Sequence, residues 1–132
     1  MSHFTKVKTK IKDLNMLKQA LEALGMSFEE AENRQKVVVK GWENNNVEAE
    51  MSINPGCSYG IAVNRVNDEY ELNADWWAIE TWTGKTQQEL LNKIDKQYAY
   101  ETIMDKIKSQ GYSVVTEEES KEQIKLVVRR WT

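Results

Sequence analysis

Thr83-Gly84-Lys85-Thr86 ends in the Gly-Lys-Thr of a phosphate-binding loop. Such a loop wraps phosphate oxygens in backbone N–H groups, and it needs a further glycine upstream, at the position that Ile79 holds here. The segment therefore reads as a turn followed by a helix start, because Thr86-Gln87-Gln88-Glu89 has the pattern of a capping box. No glycine-rich dinucleotide fingerprint occurs either. Nucleophilic catalysis would have to draw on His3, the single histidine, or Cys57, the single cysteine. His3 lies at the extreme terminus, where order is usually poor. Cys57 follows the Asn54-Pro55-Gly56 turn and is expected to be a small core residue, with a reactive thiol as the alternative. A lone cysteine admits no internal disulfide and no Cys-pair metal site. Glu48, Glu50, Asp68, Glu69, Glu71 and Asp75 could serve as general acids or bases, yet most alternate with apolar residues as on a wet sheet face, and no spacing singles out a pair. The expectation is no catalytic residue, no metal and no cofactor.

The chemistry left is recognition. Asp75-Trp76-Trp77 with Trp82 is the densest aromatic cluster in the chain. Neighbouring side chains on a strand point to opposite faces, so at least one of the paired tryptophans should be exposed. Trp76, Trp77, Trp82 and Asp75 are therefore the candidates for a partner-binding surface, weighed against simple packing beneath the 78–85 loop. Lys6, Lys8 and Lys10, with Arg129 and Arg130, are candidates for a basic face. A second reading is a small-molecule binder or enzyme with a pocket between sheet and helices, lined by Tyr59, Tyr70, Tyr98, Tyr100 and Asp75. A third is weak nucleic-acid contact through the N-terminal lysines, against which the net charge of −3 argues.

The chain of 132 residues suits a single domain, 1–132, with a core large enough to need no covalent staple. No apolar run approaches the ~20 residues of a membrane span, and the N-terminus lacks the apolar stretch of a signal peptide. The expected setting is cytoplasmic, or the plastid stroma if plastid-encoded.

Lys6, Lys8 and Lys10 alternate with Val7, Thr9 and Ile11, predicting a strand within 4–11 whose lysines guard a sheet edge. Leu14, Leu17, Leu21 and Leu24 predict a helix over 14–24, started by Asp13 and ended by Gly25. Short strands are expected at 26–31 and 36–42 around a turn at 32–35. Val47, Ala49, Met51 and Ile53 mark another strand, and 59–66 with 69–74 mark a hairpin around Asn67-Asp68. A helix should start at Thr86 and reach Gln110. Its apolar stripe changes face, from Leu90, Leu91, Ile94 and Tyr98 to Tyr100, Ile103, Met104 and Ile107. The helix should therefore kink between 96 and 102 or lie between two layers. Residues 112–116 and 124–131 should form a last hairpin around the acidic Glu117-Glu118-Glu119 turn.

One block occurs twice. Gly25 and Ser27 match Gly111 and Ser113, and Lys36 through Trp42 match Lys125 through Trp131. The fold class is therefore α+β: a mainly antiparallel sheet with two helical segments on one face, built as a pseudo-repeat of β-α-β-β halves at about 4–53 and 59–131.

Several segments carry a resemblance. Ser2-His3-Phe4-Thr5, Asp13-Leu14, Tyr70 through Trp76, Gln97-Tyr98-Ala99-Tyr100, Gln110-Gly111-Tyr112 and Lys125 through Trp131 resemble the hypothetical chloroplast open reading frame thirty-five family of cyanobacteria, red-algal plastids and other bacteria. The resemblance spans nearly the whole chain and carries no established catalytic residue. It implies an assembly or adaptor role beside an AAA-class ATPase. The 76–86 stretch, with Trp77 and Trp82, departs from the pattern.

Overall fold

The computed structural model describes residues 3–119 and 123–130. Trp131, the repeat partner of Trp42, lies outside them, as does Ser2 of the resemblance. The strands are β1 (Thr5–Lys8), β2 (Phe28–Glu30), β3 (Val37–Val39), β4 (Val47–Ala49), β5 (Met51–Ile53), β6 (Ile61–Val66), β7 (Glu69–Ala74), β8 (Tyr112–Glu119) and β9 (Ile124–Arg130). The helices are α1 (Leu14–Ala23), α2 (Trp76–Thr83) and α3 (Gln87–Ser109), and a 3-10 turn spans Trp42–Asn44. A five-stranded sheet in the order β1-β7-β6-β5-β2 is antiparallel throughout. The ribbons β3-β4 and β8-β9 stand apart from it. This is the expected α+β architecture.

Sheet alternation divides the interior in two. Met51, Ile53, Ile61, Val63, Tyr70, Leu72 and Ala74 meet Leu17 and Leu21 of α1, Trp76 and Ile79 of α2, and Leu90 and Ile94 of α3 in the main cluster. All three helices therefore cover one face of the sheet. Ala62, between Ile61 and Val63, points to the other face and packs with Val37, Val39 and Ala49 of the β3-β4 ribbon. In β7 the expected alternation is complete, with Tyr70, Leu72 and Ala74 buried between half-buried Glu69, Glu71 and Asn73.

Asp13 caps α1, its Oδ1 accepting N–H bonds from Asn15 at 2.9 Å and Met16 at 3.2 Å. Leu24 closes the helix, and the left-handed Gly25 follows it. The 47–53 run is two strands rather than one. A bend at Glu50 turns β4 toward β3 and leaves β5 in the main sheet.

The repeat is matched in element order by β1-α1-β2-β3 and β7-α3-β8-β9 apart from α2, which is inserted between β7 and α3, and the two opening strands β1 and β7 lie side by side. The pairing differs between the halves. β8 pairs with β9, whereas β2 pairs with β5 and β3 with β4. The left-handed residues Asn33 and Arg34 lie in the connection between β2 and β3, which join different sheets. The acidic Glu117-Glu118-Glu119 segment is strand rather than turn, Glu118 lying opposite Lys125 and Glu119 opposite Ile124.

α3 is one continuous helix without a break between Lys96 and Thr102. It serves two layers instead. Leu90 and Ile94 enter the main core. Further along, the Tyr100 hydroxyl meets Glu117 Oε2 at 3.2 Å, and Lys96 pairs with Glu119 at 3.3 Å, both on β8. Burial, then the adjacent Glu117 carboxylate, raises the Tyr100 pKa.

α2 went unread in the sequence, where 78–85 is expected as a loop. Asp75 caps its start and Gly84 ends it in the left-handed region at φ 72°. The Thr81 and Thr83 hydroxyls donate to the carbonyls of Trp77 and Ile79, each at 2.7 Å, which hides their polarity inside a short helix.

Candidate functional site

A helix step of about 100° is smaller than the half-turn between neighbours on a strand, yet it is enough to send the paired tryptophans to different faces. Trp76 turns inward, 5% exposed, and its indole N–H donates to the Thr5 carbonyl at 3.0 Å. Trp77 and Trp82 are 48% and 58% exposed. They do not stand alone. Trp42, at the start of the 3-10 turn, lies 5.8 Å from Trp77 edge-to-face and 6.5 Å from Trp82 at a shallow 30° tilt, measured between ring centroids. Tyr59 joins from the segment before β6, 6.3 Å from Trp42 and 6.5 Å from Trp82. These separations fall in the range of favourable aromatic pairs.

Asp75 assembles the cluster. It is fully buried, with Oδ1 accepting the Ala78 N–H at 3.2 Å and Oδ2 accepting the Trp42 N–H at 3.0 Å. One carboxylate thus caps α2, which carries Trp77 and Trp82, and fixes the backbone that carries Trp42. The Gly60 N–H donates to the Lys40 carbonyl at 3.3 Å, which brings the approach to Trp42 alongside Tyr59. Gly41 has to be glycine, because a Cβ there would come within 2.5 Å of the Asn45 carbonyl oxygen and 2.6 Å of the Phe4 ring. Glu43 and Asn44 then both take left-handed φ, at 56° and 61°. Two successive non-glycine residues in that region store strain beside the exposed rings.

The expected surface residues therefore separate. Trp77 and Trp82 are on the surface, while Trp76 and Asp75 are buried beneath it as support. Trp42 and Tyr59 complete the cluster. Sequence reasoning placed Trp42 with the repeat and Tyr59 with a pocket, and nothing in the linear order of these residues shows that they meet. Lys6 and Lys8 are exposed on β1, Lys10 is exposed beyond it, and Arg129 is exposed on β9 of a different sheet. The backbone of Arg130 closes β9.

Of the expected pocket residues, only Tyr98 lines the groove of about 810 Å³ between the end of β1 and α3. Tyr70 and Asp75 are buried in the fold, Tyr59 belongs to the aromatic cluster, and Tyr100 faces β8. Thr83 through Thr86 form the expected turn and cap. Thr86 accepts the Glu89 N–H at 3.1 Å, and Glu89 accepts the Thr86 N–H at 3.4 Å. Cys57 is half-buried against the main core, and burial raises its pKa, which lowers the thiolate fraction that a reactive cysteine needs. Among the described residues no helix is long and apolar enough to cross a membrane, and no group of three or more His, Cys, Asp or Glu could hold a metal ion.

The fold and site define an α+β protein with helices on one sheet face and an exposed aromatic cluster along the second helix. Residues 20–128 match the family described as a protein of unknown function, DUF1257, and the chain belongs to that family. The chain is 35% identical to the uncharacterized protein ycf35 of Pyropia yezoensis, covering 99% of this chain and 98% of that one. It is 34% identical to the ycf35 protein of Guillardia theta and 30% identical to that of Cyanophora paradoxa, with the same coverage. These relatives bear the family name that the sequence motifs resemble. No solved structure matches the chain.

Proposed function

We propose that this is a small non-catalytic binding or adaptor protein whose aromatic cluster engages a protein partner in a larger, ATPase-linked assembly, in the cytoplasm or in the plastid stroma. The observation that carries this reading is the pair of half-exposed tryptophans, Trp77 and Trp82, packed around Trp42 and Tyr59 on a buried carboxylate. Exposed tryptophans held rigidly lose little entropy on docking and dominate interface energetics. The AAA-class ATPase is the partner class that the family resemblance implies.

The test is purification of tagged protein from its native host at low salt, with and without ATP, followed by mass spectrometry. The wild type should retain a stoichiometric protein partner. The Trp77→Ala, Trp82→Ala double variant should lose at least about tenfold in retention, since hot-spot tryptophans contribute ~2 kcal/mol or more each. Its melting temperature should fall by several degrees while the fold stays native by circular dichroism, because both side chains are half-exposed and the variant gives up three ring pairs of ~0.5–1.5 kcal/mol each. Equal retention by the double variant sinks the reading.

A second reading, a small-molecule binder or enzyme with a pocket between sheet and helices, is favoured by the groove between the end of β1 and α3.

A further inference from the structure

The block that occurs twice allows a comparison within one molecule. Its basic-apolar-basic run is Lys36-Val37-Val38-Val39-Lys40 around β3 and Lys125-Leu126-Val127-Val128-Arg129 in β9. Both copies alternate alike, with Val38 and Val127 exposed. Leu126 lies opposite Glu117, whose carboxylate meets Tyr100 of α3, so the even-numbered residues of β9 face the helix. The inward residues of the two copies differ in burial. Val37 and Val39 are buried against Ala49 of β4 and Ala62 of the main sheet, Val39 at 1% exposure. Leu126 is only half-buried, and Val128 is 40% exposed. None of the described side chains of β8 and β9 is buried. A two-stranded ribbon is marginal by itself, and this one lacks the cover that the first copy has.

β4 shows the chemistry that suits the motif. Val47 and Ala49 lie opposite Val39 and Val37 and join the second core, while exposed Glu48 lies opposite Val38, diagonal to Lys36 and Lys40. The strand that runs beside the first copy is thus apolar inward and acidic outward.

β9 has an edge for such a strand. Among the described residues it pairs only with β8, which leaves the N–H and C=O groups of its other edge open along a strand of seven residues. The bulge between Val114 and Thr116 disrupts β8 and not β9, and β8 also carries exposed Glu117, Glu118 and Glu119. On the solvent face Glu118 lies opposite Lys125, but Ser113 lies opposite Arg129, so Arg129 has no carboxylate across from it. A second copy of the chain is a poor occupant. Antiparallel self-pairing about Val127 would set each Lys125 beside the other copy's Arg129, and like charges directly opposite destabilise a sheet.

We propose that the free edge of β9 binds an extended segment of a partner protein in which apolar and acidic residues alternate, adding a third strand to the ribbon. Its apolar side chains cover Val128 on the inner face, and its carboxylates lie beside Arg129 on the outer one. Backbone hydrogen bonds supply affinity and the alternation supplies specificity. The edge belongs to a different sheet from the one that carries the aromatic cluster, and the proposal stands independently of that surface.

The test is an amide NMR titration of the full chain with the end-blocked peptide Asn-Val-Glu-Ala-Glu-Met-Ser-Ile, which copies residues 46–53. Saturable shifts should appear at residues 124–130 with millimolar peptide. Replacing both glutamates of the peptide by lysine should weaken binding about fivefold or more, as expected for opposed charges across a strand pair. Replacing its alanine by proline should abolish binding. Arg129→Glu should reverse the preference between the glutamate and lysine peptides. Arg129 is exposed, so the variant should fold, and circular dichroism checks this. The Trp77→Ala, Trp82→Ala protein should bind the peptide like the wild type, which separates this edge from the adaptor surface. No shifts at 124–130, shifts confined to 37–39 where the peptide would displace β4, equal binding of the lysine or proline peptide, or an unchanged preference in Arg129→Glu would each overturn the proposal. So would shifts at 124–130 on concentrating the protein alone, which assign the edge to a second copy, or tighter binding there of oligothymidylate, which assigns it to nucleic acid.

Discussion

Both oxygens of Asp75 are committed to backbone N–H groups, one on each of the two segments that carry the exposed rings. Removing the carboxylate strands two donors in a buried place and uncaps α2. Asp75→Ala should therefore cost about 3 kcal/mol, combining a lost cap with an unsatisfied donor. Urea unfolding would measure it, and a shift in tryptophan emission should accompany it as Trp42 leaves Trp77. Asp95 has the opposite character. Its folded pKa is raised above the unfolded value, so its contribution to stability is present below the unfolded carboxyl pKa and lost as pH rises through the folded one. At pH 7 the ionised group is a burden, and Asp95→Asn should raise the melting temperature slightly there. The difference between variant and wild type should vanish near pH 4 and below. A variant less stable than wild type at pH 7 would contradict this assignment. The bond from Asp75 to the Trp42 N–H and the surroundings of Asp95 are not legible in sequence. Asp75 and Asp95 look alike as letters, and only the meeting of Trp42 with α2 distinguishes them.

At the scale of elements, α3 shows what periodicity can and cannot say. The change of apolar face between Ile94 and Ile103 was visible in the sequence, and so was the choice it posed between a kink and two layers. The helix is continuous because its Thr86 cap and unbroken run of helix-compatible residues favour propagation, and Tyr100 of the second stripe meets β8 while Ile103 stays half-exposed. The two ends of one helix should then respond differently. Ile94→Ala should cost about 3 kcal/mol, since it empties a fully buried site. Ile103→Ala should cost less than about 1 kcal/mol. Denaturant titrations of both variants check the contrast, and equal losses would mean that α3 has one uniform buried face. α2 escaped notice for a physical reason. Its eight residues are too few to show a period, three of them are bulky tryptophans, and its two threonines satisfy their hydroxyls against the helix backbone itself. Asp75 before Trp76 and Gly84 after Thr83 were the available signals, a cap at each end.

At the scale of the whole molecule, the five-stranded sheet separates a large helical core from a small second one, and Ala62 is the residue through which the second core touches the sheet. The β3-β4 ribbon rests there, and β3 leads within a few residues to Gly41 and Trp42. Ala62→Leu should overpack this contact at a cost of about 2 kcal/mol. It should also disturb the tryptophan emission, because lifting the ribbon moves Trp42 away from the rings on α2. Thermal unfolding and fluorescence read both effects, and a destabilised variant with native emission would show that the ribbon and the aromatic cluster are independent. The fold class and most strands were readable because alternation and caps are local. The division into two cores was not, since it depends on which strands pair across long stretches of chain. One further consequence follows from the helix that leaves the main core after Tyr98 and carries the hairpin beyond it. The span from Tyr98 to Ser109 is a rod of about 16 Å at ~1.5 Å per residue. A tilt of only ~5° at its base displaces the far end by ~1.5 Å. The groove lies at the root of this rod, so the hairpin is the pointer of a lever whose fulcrum is the main core.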